Sequence, residues 1–204
     1  IAGYNLEVED AEGFIGDRAS QTAFRALLDD WRRRYRKKGR PDPLGKRPSA
    51  ALGKKVLDKA IAAEKASPAA DIVHGAIEEF AVELAQVIQR FMRQKSWKGV
   101  KRIVIGGGFP ESDVGERAIL QAAALCEAAE LPVHLARLRH DVDDGGLIGW
   151  VHLAPSAITD HHDALLAIDL GGTNARCGIV SFRRHKAEDF SRARVGRGIQ
   201  WRHG

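Results

Sequence analysis

The sequence reads as an α/β protein, and three observations carry that reading. Apolar residues at three- and four-residue spacing mark amphipathic helices through the first half of the chain. A short β-branched run, Arg102-Ile103-Val104-Ile105, ends in the triplet Gly106-Gly107-Gly108. Two apolar runs, 164–168 and 176–182, flank a Gly-Gly turn at 171–172 and read as a hairpin.

The first helix is expected to start at an Asp17 cap, with Phe24, Leu27, Leu28, Trp31 and Tyr35 on one face. Gly39, Pro41 and Pro43 stop it, and a Pro/Gly/basic loop covers 39–48. Ser49 is expected to cap a second helix bearing Leu52, Val56, Ala60 and Ile61. After Pro68 comes the strongest stripe, Ile72, Ala76, Ile77, Phe80, Leu84, Val87, Ile88 and Phe91, which predicts a long helix over 71–91. Asp113 and Glu116, three apart ahead of an Ala/Leu run, predict a capping box and a helix over 114–129. A short strand is expected at 133–135 and a helix at 145–153. The segment 193–201 alternates weakly and completes a β-meander with 164–182. Three regions follow: a helical segment over 1–70, an α/β part over 71–160 and the meander over 161–204.

Of the 204 residues, 44% are hydrophobic and 29% charged, enough apolar content for a core. The net charge of +5 suits phosphate-bearing ligands as well as nucleic acid and decides between neither. Cys126 and Cys177 have no paired spacing, which argues against a disulfide scaffold or a zinc site and for a reducing, cytoplasmic setting. No apolar run approaches the ~20 residues of a membrane span, so no membrane partner is expected. The chain opens on Ile1, and further residues are expected ahead of it.

The turn Asp169-Leu170-Gly171-Gly172-Thr173-Asn174 is the most informative motif. Consecutive glycines let backbone N–H groups close around phosphate oxygens. Thr173 adds a hydroxyl, and Asp169, at the strand end, is placed to hold Mg²⁺ through water. An ordinary Gly-Gly hairpin is the competing reading. A dinucleotide-binding reading of Gly106 and Gly108 fails at position 111, which is Glu. A P-loop between Gly39 and Lys46 has the wrong spacing, and Arg47 replaces its Ser or Thr. The run Trp31-Arg32-Arg33-Arg34-Tyr35-Arg36-Lys37-Lys38-Gly39-Arg40 reads as a helix with aromatics inward and charges solvated; nucleic acid is not the expected partner. His161-His162-Asp163 reads as a linker, and His140, Asp141, Asp143 and Asp144 as a polar loop without a firm role.

Residues 167–176 resemble the first phosphate motif of the ROK and bacterial glucokinase group of sugar kinases, members of the actin-like, ribonuclease H-like ATPase superfamily. The strand 102–105 with Gly106-Gly107-Gly108-Phe109 is similar to that group's adenosine motif, and 144–149 to the segment leading into its closing helix. The resemblance covers roughly 71–182. It implies an actin-like lobe of helices plus a mixed sheet, with Gly106, Gly107 and Gly108 facing adenosine and Gly171, Gly172, Thr173 and Asn174 holding phosphate. ATP and Mg²⁺ are the implied cofactors, and nucleotide and sugar the implied small molecules. The implied activity is ATP-dependent phosphorylation of a sugar by a full-length parent, with this chain supplying the ATP-binding elements. Alternatives are a non-catalytic nucleotide- or sugar-binding regulator of the same group and a basic nucleic-acid-binding module. Two departures stand out: the adenosine motif precedes the phosphate turn, and no general-base motif follows Asn174. The expectation is a permuted, fused or truncated unit, with a second copy or further chain covering the apolar face of the 164–201 sheet.

Overall fold

The computed structural model describes residues 8–62, 67–170 and 174–202, in two units that divide between Arg137 and Leu138. The first unit opens with a two-residue hairpin, β1 (Glu9–Asp10) and β2 (Gly13–Phe14). A 3-10 turn over Ile15–Ala19 takes the place of the helix start expected at Asp17. Ser20 is the true cap of α1 (Gln21–Arg36), because its hydroxyl reaches the Ala23 N–H at 3.1 Å. Asp17 lies inside the preceding turn.

Ser49 likewise caps no helix: Ser49–Ala51 is a single 3-10 turn, and α2 (Lys54–Ala62) begins after Gly53. Ser67 caps α3 (Pro68–Met92), and Pro68 occupies its first turn, where a missing N–H costs nothing. Strand β3 (Arg102–Ile105) runs through the glycine triplet into α4 (Asp113–Ala128) and on to β4 (His134–Arg137), which pairs with β3 in parallel. The expected Asp113–Glu116 capping box is absent. Ser112 caps α4, accepting the Gly115 N–H at 3.1 Å.

One core joins these elements. Phe24 and Leu28 of α1, Leu57 and Ile61 of α2, the inner face of α3, and Val114, Ala118, Ile119 and Ala122 of α4 are all buried in it. The helical segment expected over 1–70 therefore packs into the same core as the helices after it. The α3 stripe matches the residues read from periodicity, with Ile72, Ile77 and Phe80 at most 2% exposed.

Asp10 ties the N-terminal hairpin to this core. It accepts Arg18 at 2.6 and 2.7 Å, Arg90 of α3 at 2.6 Å and the Glu12 N–H at 3.0 Å. The Glu12 amide holds its carboxyl below the ordinary value, and Arg18 and Arg90 add to the effect. A lowered folded-state pKa supplies stability that is complete above the unfolded value and is lost as pH falls through the folded one. Asp10→Asn is therefore expected to lower the melting temperature at pH 7, with the gap to the parent closing below pH about 4. A gap independent of pH would reject the ionic role of Asp10.

The second unit holds α5 (Val142–Leu153), the single turn α6 (Ser156–Thr159), and the strands β5 (Ala164–Leu170), β6 (Asn174–Ser181) and β7 (Arg194–Arg202). The strands form the expected antiparallel meander in the order β5-β6-β7. A register shift near Gly178 brings β6 and β7 so close that a Cβ there would stand 2.7 Å from Val195 Cγ1. One face packs Ala167, Val180, Phe182 and Ala193 against Leu147, Ile148 and Val151 of α5. The other face leaves Leu166, Ile168, Leu170, Ile179, Ile199 and Trp201 exposed. Strand alternation divides the residues between these two faces. Among the described residues the strands make three separate sheets, not one mixed sheet. The parallel pair β3-β4 has α4 as its crossover, whereas β5 and β6 are separated by only three residues, too few for a parallel return, and β6 reaches β7 through residues 182–193.

Candidate functional site

In the first unit, the glycine triplet lies just past the carboxyl end of β3, where parallel strands leave room for ligands. Gly107 has φ +93°, and a Cβ there would meet nothing within 4 Å, so conformation and not space demands glycine at this position. Gly108 leads into a 3-10 turn, Phe109–Glu111, and α4 begins only at Asp113. That delay separates the loop from a dinucleotide-binding turn, in which the helix opens directly on the last glycine.

Gly106, Gly107 and Gly108 line a cavity of about 260 Å³. Ser20 and Gln21 at the start of α1 form one wall, and Phe80, Phe109 and Ile119 supply apolar surface. Lys54 approaches the loop from outside the cavity lining: its Nζ is 3.4 Å from the place a Gly108 Cβ would take and 3.0 Å from Glu111. The pair is exposed, so it contributes little to stability. The site is thus an apolar slot with a permissive backbone on one side.

Gly115 holds the loop in place. A Cβ on Gly115 would sit 2.0 Å from the Phe109 carbonyl oxygen and 3.1 Å from Pro110 Cα. Only glycine lets the Phe109–Pro110 backbone lie directly on the first turn of α4, and Ser112 reinforces it by donating to Phe109 O at 2.8 Å. Gly115→Ala is expected to cost about 1–3 kcal/mol through overpacking and to displace the loop, the cost being read by urea unfolding. Unchanged stability would mean that the contact is relieved by a small backbone shift.

In the second unit, the phosphate-turn residues Gly171, Gly172 and Thr173 lie outside the described residues. Their flanks are ordered by the hairpin: Asp169 pairs in register with Arg176, and Asn174 with Arg202. Arg176 is central. Its Nε donates to Asp143 Oδ1 at 3.0 Å, its Nη2 stands 2.8 Å from the same oxygen, and its Nη1 donates to Asp169 Oδ2 at 3.4 Å. Gly146 of α5 makes room for Asp169, since a Cβ there would be 2.9 Å from Oδ2.

The residues His140, Asp141, Asp143 and Asp144, read as a loop, instead include the start of a helix. Asp141 caps α5 by accepting the Asp143 N–H at 2.9 Å, and Asp143 and Asp144 fill the first turn, where carboxylates complement the helix dipole. An Asp followed by two acids and an apolar run is a start signal in its own right. Burial pushes the Asp144 carboxyl above its ordinary value, and the nearby Asp141 and Asp143 charges add to it. The Arg176–Asp143 pair could not be read from sequence, because 33 positions separate the partners.

No group of three or more His, Cys, Asp or Glu side chains among the described residues is arranged to hold a metal. In the second unit, Asp169 Oδ2 stands 3.4 Å from Arg176 Nη1. His161 and His162 are exposed and lie between α6 and β5. Among the described residues no helix is long and apolar enough to cross a membrane.

In comparisons with known proteins, no family model, no curated protein and no solved structure matches this chain. The structure by itself defines a mixed α/β protein with helices and small sheets.

Proposed function

We propose that this chain binds ATP, with its Mg²⁺, and supplies the nucleotide-binding elements of a sugar-phosphorylating protein. The observation that carries the reading is the cavity lined by Gly106–Gly108 at the carboxyl end of β3. Its apolar walls suit the adenosine part, and the positive-φ backbone at Gly107 allows close approach. In the second unit, taken by itself, Asp169 is the carboxylate that the resemblance to the sugar-kinase phosphate motif assigns to the metal's water shell. Arg176, anchored by Asp143, keeps that strand end positioned. When bound, Mg²⁺ neutralises the charge that develops on the transferred phosphoryl group. The apolar slot is expected to exclude water from the base.

Titration with a fluorescent ATP analogue tests the reading. The parent is expected to bind saturably, Gly107→Ala to weaken binding by about tenfold (about 1.4 kcal/mol), and Asp169→Ala to lose the dependence on Mg²⁺. Thermal melts check that both variants fold. Absence of saturable binding by the parent removes the proposal. Phosphorylation assays over a panel of hexoses, with Asp169→Ala alongside, test the sugar-kinase part, and equal turnover by both proteins would remove Asp169 from it.

A further inference from the structure

The basic run at the end of α1 is only partly explained by the fold. Residues 31–40 carry Arg or Lys at 32, 33, 34, 36, 37, 38 and 40 and no acid. Arg32 is buried and serves the core. Arg33 pairs with Asp30, Arg34 with Glu79 at 2.9 Å and Arg36 with Asp42 at 2.7 Å. Among the described residues, Lys37, Lys38 and Arg40 enter no ion pair, so three exposed cations remain uncompensated on one short stretch.

Two of these cations, Lys38 and Arg40, line a concave aromatic site. Trp31, Arg34, Tyr35, Lys38, Arg40 and Asp71 line a cavity of about 200 Å³, so three cations face one carboxylate. The two aromatic rings are fixed in place. The Trp31 indole lies against the α3 backbone so closely that a Cβ on Gly75 would stand 2.5 Å from it. The Arg34 guanidinium sits 5.4 Å from the Trp31 ring, and that of Arg40 5.8 Å from Tyr35. Trp31 Nε1 is buried and meets no acceptor among the described residues, an unsatisfied donor in a wall of the site.

We propose that this face of the first unit binds single-stranded nucleic acid, with a base entering the Trp31/Tyr35 cavity and phosphates lying along Lys37, Lys38 and Arg40. Bases stack on aromatic rings and guanidinium planes, and an adjoining row of free cations tracks the backbone. A duplex keeps its bases stacked inside and offers nothing for a cavity of this size. An acidic peptide would satisfy the cations but has no use for the paired rings. The proposal is independent of the glycine cavity and of ATP.

Anisotropy of a labelled ten-residue oligothymidylate, titrated with the full chain at several salt concentrations, tests it. The expected result is saturable binding that weakens with salt. Lys38→Ala/Arg40→Ala together should weaken binding about tenfold or more and make the log–log salt slope shallower by about 1.4, near 0.7 per lost phosphate contact. Tyr35→Leu, which keeps an apolar side chain against the core, should weaken binding several-fold, while Tyr35→Phe should not; melting temperatures confirm folding. Absence of binding overturns the proposal. So does equal competition by a polyglutamate of the same length, which would reduce the face to a charged patch, and so does identical binding by Tyr35→Leu.

Discussion

Arg32→Ala is expected to destabilise the first unit by about 3–5 kcal/mol, the range for removing one partner of a buried ion pair. Arg32 is 2% exposed although it lies in the middle of a basic run. All five of its N–H donors are used. Nε reaches Asp42 at 2.9 Å, Nη1 reaches Asp29 at 3.2 Å and Ser49 Oγ at 3.0 Å, and Nη2 reaches the Gly45 and Arg47 carbonyls at 2.8 and 2.7 Å. Removing the guanidinium leaves the Asp42 carboxylate, 8% exposed, with only Arg36 and the Leu44 N–H as partners, and it strands two backbone carbonyls. The loop between α1 and α2 would then lose its main attachment. Arg32→Lys keeps the charge but has three donors and no planar fork, so it should recover only part of the loss. Urea denaturation measures both. An Arg32→Ala protein within about 1 kcal/mol of the parent, inside the usual worth of a single hydrogen bond, would show that the loop is held elsewhere.

Phe80→Ala is expected to cost about 3–5 kcal/mol as well, by a different cause: a large side chain removed from a packed core leaves a cavity. Phe80 is 1% exposed and meets Phe24 edge-on at 5.7 Å and Phe109 at 5.2 Å. Phe109 follows the glycine triplet directly, and Phe80 is also a wall of the glycine-lined cavity. The substitution should therefore loosen the loop as well as the core. Phe80→Leu refills part of the volume and should cost clearly less. If the two variants unfold at the same denaturant concentration, the ring contacts do not stabilise this core.

Much of the secondary structure was legible from local pattern. The α3 stripe, the β3 run, the α4 segment and the meander all appear where periodicity placed them, because each depends on residues a few positions apart. Helix starts were less legible. Asp17, Ser49 and Asp113 are reasonable caps by residue type, but Ser20, Gly53 and Ser112 mark where the backbone turns. Several polar residues stood close together at each start, and only the chain's approach to the core chose among them. Aromatic spacing correctly placed Trp31 and Tyr35 toward the core but gave no reason to take Arg32 out of the solvated set.

Gly106–Gly108 was recognised as a loop with a purpose because consecutive glycines after an apolar strand have a local conformational meaning, and Gly107 does adopt positive φ. That the loop lines a cavity was decided by elements far off in the chain: the start of α1, Phe80 of α3 and the absence of a side chain at Gly115. The same division holds at the second unit, where the Asp169–Arg176 pairing follows from a tight hairpin but the Asp143 anchor comes from a helix that precedes it. By itself, then, the sequence determined most of the helices and strands, the permissive backbone at Gly106–Gly108, and the α/β class. The tertiary structure alone decided that Arg32 is buried, that β3 and β4 pair in parallel apart from the meander, and which cations are left free just past α1. The first set rests on interactions between neighbours in the chain. The second rests on burial and hydrogen bonding between residues ten or more positions apart, for which local pattern holds no record.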